Sequence, residues 1–303
     1  MAAVCGRDHP AVRAGAVRAD QRRLAGPGGD VDRSGPDVPF GAREVTWKQE
    51  AAEMNYKMIL QYDGTRYDGW QRQGNTDRTI QGKLEAVLGR LAEETLEVHG
   101  SGRTDGGVHA RGQVANFHLK QAREPEEIRA YLNRYLPEDI CVLELTAAPE
   151  RFHSRLNACR KTYRYQIWMD GKTDVFQRDY FYGLGKQLDI GQMERAAGTL
   201  LGTHDFKSFC GNKKMKKSTV RTITAIRLIR LCDGKALAVD VTGNGFLQQM
   251  VRILAGTLIE VGLGKREADS LEAVLELKER SAAGFTAPPE GLCLMNVQYE
   301  EEK

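Results

Sequence analysis

Asp105 is the residue in this sequence whose neighbours most favour chemistry. It lies in a glycine-rich stretch, Gly100 to Phe117, and Arg103 precedes it by two positions. A carboxylate beside an arginine is kept ionised by that neighbour, so it could act as a nucleophile or a general base. An Asp-Gly pair also forms ordinary turns, because both residues tolerate positive φ. A turn alone does not require the polar residues that flank this one, Arg103, Thr104, His109 and Arg111.

A second segment, which begins at Arg160, interleaves basic and aromatic residues. Strand alternation places Lys161 and Tyr163 on one face, and Arg160 and Arg164 on the other. Extruded or single-stranded nucleotides need this combination, because bases stack on rings and phosphates pair with cations. An amphipathic strand with tyrosines in a core would show the same pattern.

Positive charge is also concentrated in a run of four lysines, Lys213, Lys214, Lys216 and Lys217. Such a run is typical of a loop that tracks phosphates, and equally of a solvated surface loop.

The sequence around Arg252 predicts a helix that begins near Phe246. On a helical wheel Phe246, Met250 and Leu254 share an apolar stripe, and Arg252 falls opposite to it. The wheel therefore predicts that Arg252 faces solvent, whereas a helix spanning two sheets would aim the same face into a cleft.

Composition excludes several classes of protein. The chain has 303 residues and a net charge of +3, which is too mild to establish a nucleic-acid partner. Its six cysteines show no Cys-x-x-Cys spacing and its six histidines no His-Glu-x-x-His pattern, so we expect reduced thiols and no metal site. No phosphate-binding or dinucleotide motif is present, which predicts an enzyme without a cofactor. No apolar run is long enough to span a bilayer, so we expect a cytoplasmic protein without a membrane partner.

The order of predicted elements repeats. Strands and helices from Tyr56 to Leu143 read β-α-β-β-α-β, and those from Arg160 to Tyr299 follow the same order. This predicts an α+β fold of two tandem ferredoxin-like units with mainly antiparallel sheet.

The composition also suggests boundaries. Residues 1–53 are rich in Ala, Gly, Arg, Asp and Pro without sustained periodicity, which predicts a disordered or spurious extension. We expect an N-terminal α+β domain at 54–158, which carries the Asp105 loop, and a C-terminal α+β domain at 159–303.

Five motifs in order make a resemblance specific. The stretch Arg103-Thr104-Asp105-Gly106-Gly107-Val108-His109 resembles the signature of the TruA family of tRNA pseudouridine synthases, with Gly106 where the family usually has Ala. Further segments match in family order: Tyr62 to Gln71, Phe152-His153-Ser154-Arg155, Tyr163-Arg164-Tyr165, and Phe246 to Arg252. The terminal Gly291-Leu292-Cys293-Leu294 also looks like the family pattern, with Cys293 in place of an aromatic residue.

The resemblance implies the pseudouridine synthase fold and a function. Such enzymes isomerise uridine to pseudouridine at positions 38 to 40 of the tRNA anticodon stem-loop, as homodimers and without a cofactor or metal. Asp105 would be the catalytic carboxylate and Arg252 its partner. Tyr163 would stack on the uracil, and Arg103, Phe246 and Leu292 would contact the substrate. The tRNA would lie in a basic cleft, for which we expect contributions from the four lysines, Arg160 and Arg164.

Two other functions fit parts of the pattern. A non-catalytic RNA-binding protein of two RRM-like units would need the basic and aromatic strands but not Asp105. A small hydrolase using Asp105 with His109 fits less well, because no second carboxylate or triad partner is evident.

Overall fold

A computed structural model describes residues 53–212 and 214–300. The first half of this part reads β1 (Met54–Tyr62), α1 (Ile80–Ala92), β2 (His99–Gly100), β3 (His109–Leu119), α2 (Pro125–Tyr135) and β4 (Ile140–Ala147). The second half adds β5 (Ala158–Trp168), β6 (Tyr182–Gly183), α3 (Ile190–Thr199), β7 (Gly202–Asp205), β8 (Val220–Leu231), β9 (Ala236–Gly243), α4 (Met250–Gly262), α5 (Leu271–Leu277) and β10 (Leu292–Tyr299). No helix in these ranges is long and apolar enough to cross a membrane.

The two halves repeat one strand order within a single sheet. In the first half the neighbours run β4-β1-β3-β2, and in the second they run β10-β5-β9-β8. Each half thus places its last strand beside its first, as expected for ferredoxin-like units. Most pairings are antiparallel, while β3 and β10 join the halves as parallel neighbours through Cys293 and His109. The predicted α+β fold class is confirmed.

Apolar alternation explains which face of the sheet the helices cover. In β1, Tyr56, Met58 and Leu60 are buried, whereas Gln61 is exposed. The apolar stripe of α1 packs in the same core, and Thr79 caps this helix by accepting a hydrogen bond from the Gly82 amide. Burying side chains of this size stabilises the fold by about 1.5–3 kcal/mol each.

One predicted boundary near the functional residues is wrong. α4 begins at Met250 rather than near Phe246, so Arg252 lies in its first turn. β2 has only two residues and β3 begins at His109, which leaves 101–108, with Asp105, as the connection between them.

The division at residues 158 and 159 stays a prediction. One continuous sheet crosses it through the β3–β10 pairing. The predicted N-terminal extension lies outside the described residues, apart from Glu53.

Candidate active site

The loop that carries Asp105 is held by hydrogen bonds on both sides of that residue. The Trp70 amide donates to the Thr104 carbonyl at 3.0 Å, and the Gly107 amide donates to the Tyr67 carbonyl at 3.1 Å. The hydroxyls of Thr104 and Tyr62 form a buried hydrogen bond of 2.9 Å. Tyr67 and Trp70 are buried, as their ring chemistry predicts. The carboxylate therefore sits on a fixed support rather than on a free turn.

Close backbone approach explains two glycines under this loop. A Cβ at Gly64 would lie 2.0 Å from the Val108 carbonyl oxygen, so any side chain there would displace the loop. Gly69 has a φ of +106°, and a Cβ on it would lie 2.7 Å from the Thr104 carbonyl oxygen. Gly106 differs, because its Cβ would meet the Tyr67 carbonyl oxygen at an ordinary 3.4 Å. The structure would therefore accept at position 106 the alanine that the family usually has there.

Arg252 pairs with Asp105 in the cleft. Its Nη1 donates to Asp105 Oδ2 at 3.0 Å, and its Nε donates to the Ala287 carbonyl at 2.7 Å. The side chains of Arg252 and Asp105 are 13% and 31% exposed. The wheel prediction that Arg252 faces solvent is therefore wrong.

The physical reason is that α4 is covered on both sides. Almost every residue of α4 is buried, so the helix is covered on more faces than the one that carries the apolar stripe. The segment 283–287 crosses the face that the wheel assigned to solvent. A Cβ at Gly256 would lie only 2.0 Å from the Phe285 carbonyl oxygen, and the Ala287 amide donates to the Arg252 carbonyl.

Three other predicted substrate contacts lie in the same cleft as Asp105. Tyr163 is 7% exposed and meets Phe246 edge to face, with ring centroids 5.2 Å apart. Leu292, at the start of β10, is also buried and lines the cleft. Burial, reinforced by the charge of Asp105, raises the pKa of the Tyr163 phenol, so it stays protonated at neutral pH. The cleft encloses about 440 Å³.

The predicted RNA-binding cations are only partly brought together. Arg103 is exposed and lines the cleft, as does Lys217. Lys214 and Lys216 are exposed and do not line the cleft, and Lys213 lies outside the described residues. Arg160 is exposed near the start of β5.

Arg164 lies elsewhere. Its Nε and Nη2 donate to the two carboxylate oxygens of Asp240 at 2.7 and 2.8 Å. It lines a different cavity of about 490 Å³, to which Tyr163 does not contribute. The structure thus confirms the predicted alternation along β5, and places Arg164 away from Asp105.

His109 also belongs to that second cavity. Its Nδ1 lies 3.1 Å from both the Gly64 amide and Asp63 Oδ1, and its Nε2 lies 3.2 Å from the Glu290 carbonyl. Tyr180 donates to the other Asp63 oxygen at 2.9 Å. With both ring nitrogens engaged there, His109 is not a base for Asp105, which disfavours the hydrolase hypothesis.

Sequence reasoning missed three cations in the cleft, Lys161, Arg155 and Arg221. For the first two the signals were present, because alternation put Lys161 on the face of Tyr163, and Arg155 ends the Phe152-His153-Ser154-Arg155 motif.

Comparison with known proteins gives consistent matches. A family model described as tRNA pseudouridine synthase matches residues 58–157 and 196–300. A protein of Bacillus sp. (strain KSM-64) named tRNA pseudouridine synthase A is 48% identical over 246 residues, which cover 81% of this chain and 99% of that protein. A protein of the same name from Halalkalibacterium halodurans is 47% identical over 232 residues, covering 76% of this chain and 87% of the relative.

Similarity to solved structures is weaker. A chain in the crystal structure of the archaeal box H/ACA sRNP Nop10-Cbf5 complex aligns with a TM-score of 0.34 and 11% identity. The alignment covers 81% of this chain and 49% of that chain, and a score this low adds nothing to the description of the fold.

Proposed function

The chain belongs to the TruA family of tRNA pseudouridine synthases, and from this premise we propose that it isomerises uridine to pseudouridine at positions 38, 39 and 40 of the tRNA anticodon stem-loop. As an enzyme it is an isomerase acting on tRNA. The observation that carries the assignment of residues is the Asp105–Arg252 pair, whose Asp105 lines the same cleft as Tyr163.

The reaction sets the requirements for the site. The bond between uracil N1 and ribose C1′ breaks, and a bond between C5 and C1′ forms. C5 loses its proton and N1 gains one, so the product is an isomer and no electrons are exchanged with another reagent. A positioned carboxylate and a surface that holds the detached base are the parts that the protein must supply.

We assign Asp105 as the catalytic carboxylate. Arg252 occupies Oδ2, and among the described residues no donor lies within hydrogen-bond distance of Oδ1. The free oxygen is available to the ribose or to the base, and either attack or proton transfer is consistent with its position. Because Arg252 is also tied to the Ala287 carbonyl, it holds the carboxylate in one orientation.

Tyr163 is the group that we assign to the uracil. Phe246 stands against the edge of its ring, which limits the rotation of the ring and favours a single stacking geometry. Leu292 and Phe246 would exclude water from the detached base, and Arg103 would contact the RNA at the exposed rim.

The same proposal assigns RNA-binding roles to the lysine run and to two arginines of β5. Lys213, Lys214, Lys216 and Lys217 would bind phosphates, with Lys217 at the cleft itself. Arg160 and Arg164 are assigned to RNA from the resemblance, and the bidentate pairing of Arg164 with Asp240 makes Arg164 the weakest member of this set.

We also propose a cytoplasmic homodimer, which rests on the family resemblance. Light scattering coupled to size-exclusion chromatography tests this directly. The expected particle has twice the 33.8 kDa mass of the chain, and a monomer at micromolar concentration would contradict the proposal.

One assay tests the function. The protein is incubated with unmodified tRNA, and pseudouridine is mapped by primer extension after carbodiimide treatment. Stops at positions 38 to 40 are expected. Tight tRNA binding without any carbodiimide stop would instead identify the non-catalytic RNA-binding protein.

A further inference from the structure

Lys161 is a partly buried cation without a carboxylate partner in the described structure. It lies on β5 two residues before Tyr163 and faces the same cleft. Its Nζ donates to the Ser101 carbonyl at 2.5 Å. Burial, and secondarily the charge of Arg155, lowers its pKa to about 8. A desolvated ammonium beside a second cation is unfavourable unless an anion joins them.

Arg155 is held next to Lys161 by a segment with many hydrogen bonds. Ser154 is fully buried, its amide donates to Asn116 Oδ1 at 2.9 Å, and its hydroxyl donates to the His99 carbonyl at 2.5 Å. The Tyr299 hydroxyl donates to the Ser154 carbonyl at 2.7 Å. The backbone of this segment therefore delivers Arg155 to the cleft in a fixed place.

Arg155 lines two cavities. One is the cleft that contains Asp105, and the other encloses about 420 Å³ beside Trp70 and His99. Both cavities are lined by Gly102, Arg103, Arg155 and Lys217. Arg155 is thus one of the residues at the boundary between the two cavities.

We propose that Lys161 and Arg155 together bind one of the two backbone phosphates that flank the nucleotide held against Tyr163. This inference rests on the proposed function, since it assigns the RNA strand as the ligand. The two cations lie on the Tyr163 side of the cleft and have no carboxylate within ion-pair distance among the described residues. The phosphodiester supplies the negative charge that these cations lack. Lys161 and Arg155 are positioning residues in this scheme, because neither contacts the reacting atoms.

The test is a coupling measurement between a side chain and a single phosphate. Stem-loop RNAs that already contain pseudouridine, so that no reaction occurs, carry one neutral methylphosphonate linkage on either side of that nucleotide. Affinity is measured for the wild type and for Lys161→Gln, which loses the charge but keeps a polar side chain. Lys186→Ala, an exposed lysine outside both cavities, is the matched control.

One linkage should reveal the contact. For the wild type, neutralising that phosphate is expected to weaken binding by about tenfold to a hundredfold, as for other charge-assisted hydrogen bonds. In Lys161→Gln and in Arg155→Gln the same linkage should cost threefold or less, while Lys186→Ala should behave as the wild type. Equal losses in all four proteins at both linkages would overturn the proposal.

The same experiment separates this inference from the proposed function. Pseudouridine formation by the wild type in unmodified tRNA tests the function alone. Normal formation together with no coupling at either linkage overturns the phosphate site and leaves the function intact. Absence of pseudouridine overturns the function itself, and the phosphate site with it.

Binding should also depend on the protonation of Lys161. A phosphate favours the ammonium, so RNA affinity should fall as the pH rises through about 8, where free Lys161 loses its proton. Other charged or titratable groups line the two cavities, namely Glu97, His99, Arg103, Asp105, His153, Arg155, Tyr163, Lys217 and Arg221. Lys161→Arg isolates the contribution of Lys161, because a guanidinium stays charged. The fall between pH 7.5 and 9 should be smaller by several-fold in Lys161→Arg, and identical profiles would contradict the proposal.

Discussion

An aspartate–arginine pair lies on each side of the sheet. The two pairs differ in how many oxygens of the carboxylate accept a hydrogen bond from the arginine. Arg164 grips Asp240 through two hydrogen bonds of 2.7 and 2.8 Å, so both oxygens are occupied. Arg252 reaches Asp105 with Nη1 alone, and its Nε is committed to the Ala287 carbonyl. A carboxylate held at both oxygens is a structural cross-link. One held at a single oxygen is oriented and still available to a substrate.

The same comparison extends to the surroundings of the two pairs. Asp105 is twice as exposed as Asp240, at 31% against 16% of the side chain. An aromatic ring and unpaired cations line the cleft around Asp105. Around Arg164 several polar groups bond to one another, as in the Asp63, His109 and Tyr180 set. Arg111 and Glu138 also line that cavity and have no side-chain partner among the described residues, but neither lies beside a carboxylate held at one oxygen only.

Removing the arginine should affect turnover strongly in the Asp105 pair and weakly in the Asp240 pair. Arg252→Ala should lower turnover by about a hundredfold or more, because the carboxylate loses the group that orients it. Arg252→Lys should recover only part of this loss, because an ammonium lacks the planar fork. Single-turnover pseudouridine formation measures both.

The matched variant on the other side of the sheet is Arg164→Ala. It should leave turnover within about twofold and cost about 1–3 kcal/mol in the free energy of unfolding, since Asp240 loses both hydrogen bonds. The comparison would be broken by near-normal turnover in Arg252→Ala, or by a large loss of turnover in Arg164→Ala with an intact fold.

Glycine variants test the support of Asp105. Gly69→Ala should lower the free energy of unfolding by about 1–3 kcal/mol and reduce turnover, because it combines positive φ with a contact of 2.7 Å to the Thr104 carbonyl oxygen. Gly106→Ala should be neutral or stabilise by about 0.4–1 kcal/mol, since the added methyl fits and restricts the unfolded chain. Urea unfolding measures both, and equal destabilisation by the two variants would refute this account of the loop.

A smaller effect concerns the lysine run, of which Lys217 lines the Asp105 cleft. Changing Lys213, Lys214, Lys216 and Lys217 together to Ala should weaken tRNA binding and flatten its dependence on salt, because fewer counterions are released. Arg227→Ala is the control, since Arg227 is exposed and pairs in register with Asp240 on the neighbouring strand. A salt slope that is unchanged in the lysine variant would assign the run to solvated surface.

The smallest effect is expected from the N-terminal extension. A chain beginning at Met54 should keep its thermal transition and its turnover, because we expect residues 1–53 to contribute to neither. Differential scanning calorimetry and the carbodiimide assay check this. A transition lowered by several degrees would show that the extension is part of the folded protein.

Local patterns were sufficient to predict most of the fold. Alternation in β1 and β5, the cap at Thr79 and the Asp233-Gly234 turn between β8 and β9 all act over a few residues, so the sequence records them directly. The repeated element order then predicted the ferredoxin-like arrangement of each half.

The site was harder to predict because its parts are distant along the chain. Asp105 and Arg252 are 147 positions apart, and no local pattern records that segment 283–287 covers the face of α4 that bears Arg252. The resemblance supplied that pair where the helical wheel failed. Alternation alone was enough to separate Arg164 from Tyr163. It also placed Lys161 on the face of Tyr163, but the pattern gave no reason to choose Lys161 over Arg164 as an RNA contact.

The central claim is that Asp105, and not Asp240, is the carboxylate that acts on the substrate. The most direct measurement is single-turnover pseudouridine formation in tRNA by Asp105→Asn and Asp240→Asn, with tRNA affinity measured in parallel. We predict no detectable product from Asp105→Asn at near wild-type affinity, and turnover within about twofold of wild type from Asp240→Asn. Measurable turnover in pure Asp105→Asn protein would contradict the account.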